Sequence, residues 1–280
     1  SFSAVNDAFL VKFNSSGVRQ WATYYGGADD DRGTYCHVDK NNNVYLAGRA
    51  MSTASIASTG AHQTTHGGDF DAFVVKFNSS GTRQWATYYG GGNIEEHVTC
   101  ATDTGLNVYL AGTTQSNNNI FAGGFQNTFG GFSDAFLVKF NASGVRQWGT
   151  FYGGTALDEG GQCAVDKNGS VYLGGTTLST TNISGSGFQN TKNAARDAFL
   201  VKFNPNGTRA WGTYYGGSQP DYGNSVCVDT FLNVYLSGFT YSTSDIANGG
   251  FQNTFGGSND AYLVKFNTSG SRLWGTYYGG

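Results

Sequence analysis

Charge is scarce in this 280-residue chain. Asp, Glu, Lys and Arg make up 12% of it, against roughly 25% in an ordinary soluble domain. The net charge is −3, so the basic field that attracts phosphate backbones is missing and no nucleic-acid partner is expected. Proline is down to 2 residues and methionine to 1. No apolar run approaches the ~18 residues of a membrane-spanning helix. The longest are strand-sized, such as Ala8 to Val11, and no membrane insertion is expected. Helical periodicity is absent throughout. The chain opens in mid-repeat without a Met, so a processed or truncated start is expected.

What remains is glycine, 43 residues, and aromatics, with 17 Tyr, 21 Phe and 5 Trp. A chain of this length is two ordinary domains or one large all-β domain, and internal repetition decides between them. The run Asp7-Ala-Phe-Leu-Val-Lys-Phe-Asn opens a block ending in Trp21-Ala-Thr-Tyr-Tyr-Gly-Gly27. That block starts again at Asp71, Asp134, Asp197 and Asp260. Between the copies lies a second block, from Cys36 to Gly48, Cys100 to Gly112, Cys163 to Gly175 and Cys227 to Gly238.

Each block reads as two strands. Phe9, Val11 and Phe13 alternate with Leu10 and Lys12 before the turn Asn14-Ser-Ser-Gly17, which fits a strand and a tight turn. Four short strands every 63 residues predict a β-propeller of four-stranded antiparallel blades. The Cys-containing strand is rich in small residues and suits the crowded axis; the Trp-Tyr-Tyr strand suits the rim. With strands named a (Cys36), b (Tyr45), c (Phe73) and d (Tyr88), residues 33–91, 97–154, 160–217 and 223–280 are four complete blades. Residues 1–27 are a half-blade of c and d strands. One propeller domain spanning 1–280 is predicted, as a ring of five blades or more, five being the simplest, whose chain continues past Gly280, because a ring closes best without an open edge; a four-bladed ring carrying a spare half-blade is the alternative.

The unit Asp-Ala-Phe-Leu-Val-Lys-Phe-Asn-x-Ser-Gly, Trp-x-Thr-Tyr-Tyr-Gly-Gly, Val-Asp-x-x-x-Asn-Val-Tyr-Leu-Ala-Gly resembles the bacterial β-propeller repeats known as SBBP repeats, over nearly the whole chain. The resemblance implies a propeller in a secreted or cell-surface bacterial protein, often an adhesin or a modular exported chain. It carries no defined catalytic residues, and the Cys of strand a stands where many such repeats have Ala.

Candidate residues were weighed by whether they recur, since a catalytic centre needs one asymmetric constellation. The four cysteines occupy matching positions on sheets that pack ~10 Å apart, too far for a disulfide; buried free thiols are expected. Trp21, Trp85, Trp148, Trp211 and Trp274 are read as rim packing, each burial contributing about 4–6 kcal/mol before entropy. Asp7, Lys12 and Arg19 and their counterparts are read as pairs locking strand c. His62 and His66 align with Phe125 and Phe129, which makes them aromatic staples of the b–c loop rather than metal ligands. Asn-x-Ser/Thr at Asn14, Asn78, Asn141, Asn168, Asn182, Asn206 and Asn267 is read as turn chemistry.

The most interesting set is Asp31, Glu95, Asp158 and Asp221, all four residues after the Gly-Gly that ends strand d, with Asp29, Asp30, Glu96 and Glu159 alongside. They are the candidate ligand- or calcium-binding residues, calcium being the one cofactor these oxygens suit. No catalytic residue or metal centre is predicted. The b–c and d–a loops vary most and share one face, where function is expected. The functional expectation is a non-catalytic extracellular interaction or structural module of a bacterial surface or secreted assembly, its partners other proteins or glycans. A lectin-like propeller with one glycan site per blade is the alternative, and a polysaccharide hydrolase a more distant one.

Overall fold

The computed structural model describes residues 5–280, and every regular element among them is a strand. Strands β1 (Ala8–Phe13) and β2 (Arg19–Tyr25) pair with each other alone. The first full blade is β3 (Asp31–Val38), β4 (Val44–Ala50), β5 (Asp71–Phe77) and β6 (Arg83–Tyr89). The second is β7 (Glu95–Thr102), β8 (Val108–Thr114), β9 (Asp134–Phe140) and β10 (Arg146–Tyr152). The third is β11 (Asp158–Val165), β12 (Val171–Thr177), β13 (Asp197–Phe203) and β14 (Arg209–Tyr215). The fourth is β15 (Asp221–Val228), β16 (Val234–Thr240), β17 (Asp260–Phe266) and β18 (Arg272–Tyr278). All four are antiparallel sheets in a-b-c-d order, so the propeller expectation holds. The a strands begin two residues before the expected blade starts, at the acids Asp31, Glu95, Asp158 and Asp221.

Local chemistry explains the repeat. In the a–b turn, Asp39 Oδ1 accepts the N–H groups of Asn41 and Asn43 at 2.9 Å each, and its Oδ2 accepts the Tyr45 hydroxyl at 3.0 Å. Asp103, Asp166 and Asp229 do the same. A carboxylate mimics a turn carbonyl here, which is why Val-Asp-x-x-x-Asn-Val-Tyr recurs. In the c–d turn Asn78 Oδ1 accepts from the Ser80 and Thr82 N–H groups, and Gly81 follows with φ +84°.

Neighbouring blades join by repeated contacts. Trp21, Trp85, Trp148 and Trp211 each donate Nε1–H to a carbonyl in the c–d turn of the following blade, those of Ser79, Ala142, Pro205 and Thr268, at 3.0–3.1 Å. The glycine of that turn lies beneath the indole: a Cβ on Gly144 would come within 2.9 Å of the Trp85 ring. Lys12, Lys76, Lys139 and Lys202 reach the same carbonyls as the indoles. Strand-c lysines therefore act mainly on backbone oxygens of the next blade rather than through the expected acid pairs. Tyr89, Tyr152 and Tyr215, fully buried, pack on Phe136, Phe199 and Tyr262 across the three full blade junctions at ring-centroid distances of 5.3–5.5 Å.

The a strands converge on an axis. Thr34 of β3 donates to the Val98 carbonyl of β7, and Thr99 of β7 to that of Gly161 in β11. Gln162 of β11 donates to the Tyr35 hydroxyl across the centre and accepts from Ser225 of β15.

The cysteines depart from expectation. All four are free, but only Cys100 and Cys163 are buried; Cys36 and Cys227 are exposed. Cys36, Cys100 and Cys163 pair in register with Leu46, Leu110 and Leu173, whereas Cys227 pairs with Tyr235 and Val226 takes the Leu236 partner. A one-residue slip turns a side chain to the opposite sheet face. Cys227 therefore looks toward the side of the fourth blade away from the third.

Candidate functional site

The four predicted acids open strands β3, β7, β11 and β15, and all are at most 1% exposed. Asp158 shows the pattern. Its Oδ2 accepts the Gly154 N–H and the Ser179 hydroxyl, both at 2.7 Å, and its Oδ1 accepts the Thr177 hydroxyl. Asp221 is held in the same way by Gly217, Thr240 and Ser242. Glu95 accepts from Gly91 and Thr114. Asp31 accepts from Gly27 and Ser52, with Ala50 standing where the other blades have Thr. These carboxylates face inward and are occupied by donors, so they fasten the d–a loop to the b strand. The ligand- or calcium-facing placement foreseen for them is corrected accordingly: an oxygen that accepts two hydrogen bonds from protein donors is turned away from a cation's shell.

Each stands close to the first residue of strand c. A Cβ on Gly153 would meet Asp134 Oδ1 at 2.4 Å and Asp158 Oδ2 at 2.7 Å, so only glycine fits between the two acids. Burial raises Glu95 to about 7 and Asp221 to about 6. Burial, then the neighbouring Asp158, raises Asp134 to about 7.

The open site lies beside these acids. A pocket of about 600 Å³ sits at the mouth of the axis, lined by all four a strands from their second residue onward. The second residue of each is Arg32, Glu96, Glu159 and Tyr222, and the b-strand residues opposite are Arg49, Thr113, Thr176 and Phe239. No other repeat position in strand a changes charge and shape so completely. Arg49 pairs with Glu96 of the next blade at 3.1 Å and lies over the Phe70 ring at 4.4 Å. Arg196 approaches Glu159 at 3.8 Å and covers Tyr222 at 5.1 Å. Arg32 forms a two-point contact with Asp30, at 2.6 and 3.0 Å. Tyr222 stacks on Phe239 at 4.2 Å and 11°.

His97 breaks the repeat most sharply. It replaces the glycine found at Gly33, Gly160 and Gly223, has φ +55°, and lines the pocket. A non-glycine side chain in the left-handed region costs about 1–2 kcal/mol and tends to mark functional positions.

The site thus combines two acids that sequence reasoning noted only as companions, Glu96 and Glu159, with Arg32, Arg49, Arg196, His97 and Tyr222, which it did not single out. Their sequence signal was difference between copies, not recurrence. His62 and His66 do sit as ring packers: His62 lies 5.7 Å from Phe140, and His66 packs edge-on against Tyr88 at 5.6 Å.

No family model matches the chain. An uncharacterized WD repeat-containing protein of Acanthamoeba polyphaga mimivirus is 21% identical over 96% of this chain and 24% of its own length. The chain thus spans about a quarter of that relative. Among solved structures, a GH43_12 retrieved from capybara gut metagenome is similar, with 13% identity and a TM-score of 0.39 over 90% of this chain and 42% of that one. Tandem-repeat β-propeller architecture accords with these neighbours. The expected function does not. A GH43 glycoside hydrolase is among the structural neighbours. The non-catalytic extracellular module of a bacterial surface assembly, with one glycan site per blade as its variant, is therefore withdrawn. Its premise fails as well, because the pocket is a single constellation that breaks the repeat.

Proposed function

We propose that the chain is a binding propeller whose working site is the mouth of the axis, and that its ligand is a protein segment carrying charges of both signs. One observation carries this reading: the rim breaks the repeat, with Arg in the first blade, Glu in the second and third and a Tyr-Phe stack in the fourth. Such a rim matches peptide side chains of both signs, and interfaces are enriched in Arg and Tyr. The likeness to a WD repeat-containing protein, a class read as mediating contacts between proteins, supports the same direction.

The probe is a displayed library of random peptides selected on the purified protein. Selected peptides should carry both acidic and basic residues, and Arg49→Ala or Glu159→Ala should weaken their binding about tenfold, near 1.4 kcal/mol. Changes at the rim-distant turn residue Asn141 should leave it intact. Selection of nothing above background, or of peptides indifferent to both substitutions, would overturn the reading. Oligosaccharide turnover abolished by Glu96→Gln or Glu159→Gln would assign a hydrolase instead.

A further inference from the structure

The first blade breaks the repeat at one cross-strand pair beside the pocket. There the second blade sets Glu96 opposite Thr113, the third Glu159 opposite Thr176 and the fourth Tyr222 opposite Phe239. The first sets Arg32 opposite Arg49, and both line the pocket. Like charges directly opposed across a sheet are destabilising, and no other blade places them so at this position.

A seam between blades is given up at the same place. Thr113 and Thr176 each accept the N–H of the next blade's strand-a glycine, Gly160 at 3.0 Å and Gly223 at 3.1 Å. At the junction of the first and second blades, Arg49 stands in place of the threonine and His97 in place of the glycine. The hydroxyl acceptor is therefore missing there. What replaces it is a pair of guanidinium groups held in position with donors to spare. Arg32 commits Nε and Nη2 to Asp30, and Arg49 commits Nη1 to Glu96 while lying over Phe70. Asp30 senses both cations: the hydrogen bond from Arg32 chiefly, and the charge of Arg49 more weakly, hold its carboxyl below the usual range. Of the N–H groups on a guanidinium, those on Nη1 of Arg32 and on Nε and Nη2 of Arg49 have no acceptor among the described residues.

We propose that Arg32 and Arg49 form a carboxylate subsite within the pocket, where the acidic group of the bound segment is held. The inference rests on the reading of the mouth as a protein-binding site and says which wall takes the acid. A guanidinium presents parallel N–H groups that match the two oxygens of a carboxylate, and an anion between two of them relieves the repulsion that the pair otherwise carries. The local charge selects among anions. Asp30 and Glu96 already balance the two arginines, which leaves no surplus positive charge to hold a dianion. A carboxylate therefore fits better than a phosphate monoester.

The probe is N-acetylglutamate α-amide, a monoanion, titrated into the isotope-labelled protein while the arginine Nε–H signals are followed by nuclear magnetic resonance. The signal of Arg49 should move saturably, with a Kd of roughly 1–10 mM, while N-acetylglutamine amide moves nothing. N-acetyl-O-phosphoserine amide should bind more weakly than the carboxylate. Arg32→Lys and Arg49→Lys keep the charge and lose the fork, so each should weaken the carboxylate about tenfold with the circular dichroism unchanged. N-acetylalanine, whose carboxylate is a chain end, separates the two sources: whichever of the two carboxylates binds tighter is the one the subsite takes. No movement in the native protein up to about 50 mM would overturn the proposal. So would tighter binding of the phosphate, or full binding by both lysine variants, which would reduce the pair to a diffuse positive charge. The titrations use no peptide, so the subsite can fail while selected peptides still bind the mouth, and it can stand where no peptide is selected.

Discussion

At the scale of single residues, the repeat is held by side chains that replace backbone partners, and the working site is marked where a residue departs from that role. Asp39 and its copies complete a turn; Trp85 and its copies clasp the turn of the next blade. His97 does neither. Replacing it by the glycine its three counterparts carry removes the left-handed strain, and we expect His97→Gly to stabilise the protein by about 1 kcal/mol in urea denaturation. The same change should weaken rim-bound peptides, because strain kept against its cost is the mark of a side chain held for use. A variant that is no more stable would show that the surrounding strand, and not the side chain, sets this backbone conformation. The turn aspartates and rim tryptophans were legible in the sequence because each must repeat to work. The rim was not, because a site assembled from unlike residues shows no pattern to a search for likeness.

At the scale of elements, the acids that open strands a and c form buried pairs at the end of each d strand. Asp71 and Asp134 each keep a buried oxygen without a hydrogen-bond partner. Burial raises Glu95 and Asp134 to about 7 and Asp221 to about 6, from ordinary values of 4.5 for Glu and 3.8 for Asp. The folded state therefore binds protons that the unfolded chain has released, and by linkage that stability is present below the unfolded values and lost as pH rises through about 6 to 7. Opposing this at the acid end, Asp39, despite burial, is held below its ordinary value by hydrogen bonds from Asn43, Tyr45 and Asn41; its contribution fades once pH falls through its own lowered value. The melting temperature should therefore be highest near pH 4, fall by ~3–6 °C as pH rises to about 7, and level off above that. Asp134→Asn should flatten that fall. A melting temperature that climbs from pH 5 to 8 would show the pairs stay ionised. The sequence made the acids conspicuous but suggested the wrong direction: position near a loop implied exposure, while the Thr and Ser donors that draw them inward lie some twenty residues away, at the end of strand b and just past it.

At the scale of the whole molecule, a 63-residue period was enough to give strand order, blade boundaries to within two residues and the face that carries the pocket, because a repeat that cannot bury itself alone has few ways to stack. What the period could not convey is that the blades are unequally supported. The half-blade rests on the first blade through Ala8, Leu10, Tyr25 and Trp21, and among the described residues no strand pairs with the other edge of β1. Hydrogen exchange should find amides of β1 and β2 protected about a hundredfold less than those of β8 and β12. Uniform protection across the molecule would mean that the half-blade opens only with global unfolding.

The joint between blades, an indole over a glycine with its N–H on a turn carbonyl, is nearly identical at every step, while the mouth changes its lettering from Arg to Glu to Tyr around the ring. Hinges and lettering are thus kept on separate strands. Duplicating, deleting or reordering a blade would respell the recognition surface without altering a single seam, so a lineage built on this unit can acquire new tastes by recombination alone.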